Sequence, residues 1–176
     1  MQDFEKRLQA DLRQYLLING EIDEKPAECA DIEEAWPQIA MDYMPDGIRE
    51  FSGYPYSALG WPMYIGMAIA RFWDDEWEIY AQIKSIYTYL RNKRGYDELD
   101  EYILEDVLRL EGEERTRTER LVGECAARTY SLYRHTGAEA GTSQAFHLFT
   151  VCLHEMYVLG AAMQFRRMGY HMTLME

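Results

Sequence analysis

The sequence predicts an all-α protein: one domain over residues 1–176, a bundle of six or seven helices around a central apolar C-terminal helix. Three observations carry this reading. First, the stretch from Thr142 to Met168 is apolar on every side of a helix, through Phe146, Leu148, Phe149, Cys152, Leu153, Met156, Tyr157, Leu159, Met163 and Phe165. Between Ser143 and Phe165 its one acidic side chain is Glu155, and it holds no Lys or Arg. A helix that is apolar all round has to be enclosed by other helices or by lipid. Second, the rest of the chain repeats apolar residues at spacings of three and four, without the alternation of a half-buried strand. Third, the connections are short, so consecutive helices are expected mostly as antiparallel neighbours. At 176 residues the chain suffices for one domain with a real core and is short for two.

The first helix is expected over about 3–18, on the stripe Phe4, Leu8, Leu12, Tyr15, Leu16. Asn19-Gly20 stops it, because both residues tolerate the left-handed conformation of a helix end. An acidic connector follows over 21–30, with Pro26. The second stripe is Ile32, Ala35, Trp36, Ile39, Ala40 and Tyr43, with Asp31 as N-cap. Pro37 lies inside it, so the helix either starts near Trp36 or is kinked. Pro45, Gly47, Gly53 and Pro55 then read as a loop that carries Phe51, Tyr54 and Tyr56.

The run from Ala58 to Trp73 is the second strongly apolar helix, with Pro62 in its first turn and Gly60, Gly66 and Ala70 allowing another helix to come close. Asp74, Asp75 and Glu76 are expected to open the next helix, striped by Trp77, Tyr80, Ile83, Tyr87 and Leu90 and closed by Arg91, Lys93 and Arg94, which complements the macrodipole. Another follows from Asp97, lined by Leu99, Tyr102, Ile103, Val107 and Leu110, and Gly112 interrupts it. Leu121, Val122, Cys125, Ala126, Leu132 and Tyr133 line a long helix ending near His135, with i,i+4 pairs Glu113–Arg117, Arg120–Glu124 and Glu124–Arg128 outside. After Gly137–Gly141 comes the central post, capped by Thr142 or Ser143 and closed at Gly169.

The net charge is −13 and uneven: residues 1–114 carry −15 and residues 115–176 carry +2. Such a field repels a phosphate backbone and an anionic bilayer alike, so no nucleic-acid or membrane partner is expected. It suits a soluble acidic protein, or an acidic face that docks a basic partner or mimics nucleic acid. Three cysteines, Cys29, Cys125 and Cys152, are odd in number and far apart, which fits a reducing cytosol better than a disulfide framework. The first residues lack the basic and apolar regions of a secretory leader, so a cytoplasmic location is expected. The 143–165 stretch is long enough to span a bilayer. Gln144, His147, His154, Glu155 and Gln164 inside it argue for a soluble core helix.

No catalytic residue, metal or cofactor is predicted. His147 and His154 are seven apart, about 10.5 Å along a helix, whereas zinc ligands lie about 2 Å from the ion. The positions three before His135, His147, His154 and His171 are Leu132, Gln144, Val151 and Met168, so the Glu-x-x-His pattern of carboxylate-bridged iron pairs is missing. His154-Glu155 lacks a second histidine at 158, which is Val. A buried Glu155 needs a cation, donors or a proton. Arg71, Arg128 and Arg134 are its expected partners. Its functional reading is the polar anchor of a ligand pocket with His147 and His154; its structural reading is a buried ion pair, or the one face of the post that reaches water. The acid clusters at 74–78 and 97–106 lack the calcium-loop pattern. Phe51, Tyr54, Tyr56 and Trp61 are candidates for a partner-binding platform, since exposed aromatics anchor partners, or for a plug folded over the bundle end.

Three segments carry a resemblance: Arg94–Ile103 (RGYDELDEYI), Gln144–Phe149 (QAFHLF) and Phe165–Tyr170 (FRRMGY). Together they resemble a family of small helical proteins from Bacteroidales-type anaerobic bacteria, over roughly the last hundred residues. The resemblance implies a cytoplasmic bacterial protein, and its motifs are structural rather than catalytic. The expectation is a non-enzymatic helical domain acting through protein–protein interaction, with another protein or its own copy. The alternative is a small-molecule or metal site near His147, His154 and Glu155.

Overall fold

In the protein's structure, a computed structural model, residues 2–170 are described; Met1 and residues 171–176, including His171, lie outside them. The C-terminal post is α7, Ser143–Arg167. The Thr142 hydroxyl accepts from the Ala145 amide at 3.1 Å, the expected N-cap. At the other end Gly169 takes φ +91, and the Tyr170 amide donates to the Phe165 carbonyl at 2.8 Å, closing the helix by a Schellman turn. Leu148, Cys152, Leu153, Met156, Tyr157, Leu159, Met163 and Phe165 are all buried. By length and hydropathy α7 could cross a membrane, yet 67% of its most apolar window is buried inside the protein.

The other helices are α1 (Gln2–Ile18), α2 (Ala30–Phe51), α3 (Pro55–Tyr80), α4 (Ile86–Arg94), the short α5 (Leu99–Tyr102) and α6 (Gly112–His135). No strand occurs among the described residues. α3 lies directly against α7, and two glycines make that possible. A Cβ added at Gly66 would strike the Tyr157 carbonyl and the Ala161 amide; one at Gly160 would strike the Met63 carbonyl. The two backbones thus touch reciprocally. Gly60 gives α6 a similar approach, with Val122 Cγ1 3.2 Å from where a Cβ would sit. α1 packs on α6 and α7 and buries Phe4, Leu8, Leu12 and Leu16 of the predicted stripe.

Four segments differ from the sequence reading. α2 runs from Ala30 through Pro37 and Pro45 to Phe51, so the loop expected from Pro45 shrinks to Ser52–Tyr54. Each proline removes one i→i−4 bond. The carbonyls released, on Glu33 and Met41, belong to exposed residues where water can reach them. α3 continues through Asp74 and Asp75, and the break falls at Glu76, whose backbone leaves the helical region (φ −147, ψ 71). α4 starts afresh after Ser85, whose hydroxyl accepts from the Thr88 amide. The helix expected over 97–110 is divided into a 3-10 turn (Tyr96–Glu98), α5 and a π-helical stretch (Ile103–Val107). Of the expected pairs on α6, Glu124–Arg128 forms at 2.9 Å, whereas Arg117 turns away to Glu21 at 3.0 Å.

Past the π stretch the chain reverses at Arg109, with φ +55, and the Leu110 amide donates to the Leu104 carbonyl at 2.8 Å. A side chain in this left-handed region crowds its own backbone, and glycine does not. Arg109→Gly is therefore expected to raise stability by about 0.5–1 kcal/mol in urea unfolding. A lower midpoint would mean that the arginine's contacts outweigh its backbone strain.

Candidate functional site

Glu155 is 3% exposed, and its Oε1 accepts from Arg13 Nε at 3.0 Å. The partner is thus on α1 rather than Arg71, Arg128 or Arg134. Arg71 lies 4.0 Å from Asp74, Arg128 bonds Asp11 and Glu124, and Arg134 lies over the Tyr130 ring. His154, one residue back and about 100° round the helix, points elsewhere. Its Nε2 is 2.9 Å from Glu33 Oε2 on α2, and its ring lies 5.6 Å from that of Trp36. His147 is exposed. The three residues do not converge on one cavity, and among the described residues no three His, Cys, Asp or Glu side chains are grouped to hold a metal. Burial pushes the Cys125 thiol up to about 12 and Cys152 higher still, so neither offers a thiolate near neutral pH.

The aromatic group divides. Phe51 turns inward, its ring 4.7 Å from Phe149 and edge-on to Tyr133 at 5.1 Å. Trp61 donates its Nε1 to the Tyr96 carbonyl at 2.7 Å and packs beside Tyr64. Tyr54 and Tyr56 stay outside, 70% and 55% exposed, with Tyr56 edge-on to Tyr130. Two of the four therefore help to hold the bundle end, and two are available on its surface.

A larger apolar surface lies on α2. Trp36 meets His154 and Tyr157 of α7, and fifteen residues on Phe51 meets Phe149, so the two helices run antiparallel side by side. The opposite flank of α2 turns to α4, through Asp42 to Ser85 and Asp46 to Tyr87 and Arg91. Between these flanks the outward line reads Pro37, Met41, Met44, Ile48, at spacings of four, three and four. Met41 is 67% exposed and Ile48 51%. Phe146, 50% exposed, lies one turn before Phe149 on α7. Exposed Glu33 and Glu34 border the Pro37 end of the line. The line was hidden in the sequence because Pro45 and Gly47 read as loop. Once the helix continues through them, the spacing of Met41, Met44 and Ile48 is the signal that finds it.

No family model, curated protein or solved structure matches this chain.

Proposed function

We propose that the protein is a non-enzymatic interaction domain whose α2 face docks an amphipathic helix with basic flanks. One observation carries the reading: on the apolar line of α2, Pro37, Met41 and Ile48 are exposed and Met44 between them is half-buried against the core, while the flanks of the helix pack on α7 and α4. Exposed apolar surface of this kind marks interaction sites, and helical anchors are read at such spacings. The partner's charge follows from complementarity. Residues 1–114, which include α2, carry −15, and Glu33 and Glu34 border the line. A second copy would bring the same negative field against itself, whereas a basic helix is attracted and oriented by it. The three free cysteines and the resemblance of the C-terminal segments support placing this activity in a reducing bacterial cytoplasm.

The test uses a synthetic leucine–lysine peptide patterned as an amphipathic helix, titrated into the full-length protein. Binding is expected to weaken with salt. Met41→Glu and Ile48→Glu are each expected to cost about tenfold or more in affinity, from the loss of one buried apolar anchor. Absence of binding, or equal binding by both variants, would refute the reading. A dimer in light scattering that dissociates in Ile48→Glu would replace the basic partner by a second copy.

A further inference from the structure

Two backbone irregularities fall together between α5 and α6. One is the π-helical stretch Ile103–Val107; the other is Arg109, the single non-glycine residue at positive φ among the described residues. Strain of this kind points to a use for the side chain it positions, and π turns collect at functional sites. Arg109 lines a hollow of about 130 Å³, room for about four waters. Arg71, Asp75, Tyr80, Tyr89 and Tyr102 share its walls.

The three tyrosine rings are braced by neighbours. The Tyr80 ring stacks flat on Phe72 at 4.0 Å, Lys93 lies 4.5 Å above the Tyr89 ring, and Arg94 lies 6.0 Å from that of Tyr102. The hydroxyls of Tyr80, Tyr89 and Tyr102 make no hydrogen bond to any described residue. The charges are unevenly used. Asp106, also in the wall, accepts from Arg94 at 3.3 Å, and Arg71 lies 4.0 Å from Asp74. Arg109 and Asp75 form no ion pair with each other or with any other described residue. Two cations and two anions therefore border the hollow, and Arg109 and Asp75 are the two that no described residue pairs, with three hydroxyls around them that no described residue engages.

We propose that this hollow binds a small zwitterion, an α-amino acid. Its carboxylate meets the Arg109 guanidinium, whose planar fork suits that group. Its ammonium meets Asp75 and donates to the tyrosine hydroxyls. A simple anion would leave Asp75 opposed to it, and a simple cation would leave Arg109 so. The site is separate from the α2 face and stands or falls independently of it.

Arg109→Gly makes a sharp test, because it removes the guanidinium while relaxing the backbone. Thermal unfolding of the full-length protein would be titrated with L-alanine, and with acetate and methylamine as its two halves. L-Alanine is expected to raise the wild-type midpoint, and each half alone to do so at least about tenfold less effectively. Arg109→Gly is expected to start from a higher midpoint yet to need at least about tenfold more L-alanine for the same shift, from the loss of a charge-assisted pair. Asp75→Asn is expected to weaken the response similarly. The proposal is overturned if L-alanine leaves the wild-type midpoint unmoved, if either variant responds as the wild type does, or if acetate alone matches L-alanine.

Discussion

Gly66→Ala is expected to destabilise the protein by about 3 kcal/mol or more, and Gly160→Ala by as much, since overpacking typically costs 1–3 kcal/mol where side chains can give way. Here they cannot. The atoms that a new Cβ would strike are the Tyr157 carbonyl and Ala161 amide in one direction and the Met63 carbonyl in the other. Relief requires α3 and α7 to move apart along their contact, opening gaps beside Met63, Ile65, Met67 and Ile69, all of which are fully buried. Domains of this kind have about 5–15 kcal/mol in total. Urea unfolding measures the loss. Gly123→Ala serves as the control, because a Cβ there meets nothing within 4 Å; it is expected to stabilise α6 slightly, by up to about 1 kcal/mol. Equal midpoints for Gly66→Ala and wild type would show that the two helices are not in backbone contact.

Asp46→Ala is expected to cost about 3 kcal/mol, the scale of a broken, partly buried charge network. Asp46 is 6% exposed, and its carboxylate accepts from Tyr87 Oη at 2.6 Å, Arg91 Nε at 2.7 Å and Arg49 Nη2 at 2.8 Å. The two guanidinium groups are partly exposed and can rehydrate, but the Tyr87 hydroxyl, on a residue 1% exposed, loses its acceptor. Burial alone pushes the Asp46 carboxyl up. The Tyr87 hydrogen bond and the Arg91 and Arg49 guanidinium groups outweigh it and hold the pKa below the ordinary carboxylate value. A folded pKa below the unfolded one, near about 3.9, stabilises the protein above that value. This contribution is lost as pH falls through the lower, folded pKa. The stability difference between wild type and Asp46→Ala should therefore be full at neutral pH and shrink in strong acid. A difference that stays constant with pH would remove the charge from the explanation.

Much of this architecture was legible in the residues. The all-round apolar stretch at 143–165 could only be a core helix or a membrane span, and Gly66 announced close helix contact. Its counterpart on α7, Gly160, lay unmarked within the apolar run. The failures share a cause. Pro37, Pro45 and Gly47 are strong local signals against helix, and the packing of α2 against α3, α7 and α4 overrides them. Asp74 and Asp75 look like a helix start, yet the apolar run before them carries the helix through to the break at Glu76. The partner of Glu155 was missed because Arg13 is 142 positions away, and no spacing rule reaches that far. The Glu21 clamp, held by Arg117 and by Arg167 at 2.8 Å, was hidden for the same reason. The candidate surfaces followed suit: the α2 line depended on a helix that the prolines masked, and the tyrosine-lined hollow on elements as far apart as Arg71 and Arg109.

The central claim is that α7 is a core rod shut off from water on most of its circumference. Native-state amide hydrogen exchange tests it most directly. The amides from Leu148 to Phe165 are expected to exchange only through global unfolding, with a free energy equal to that from urea and a matching fall in Gly66→Ala. Exchange of the middle of α7 through local openings, well below that free energy, would contradict the account.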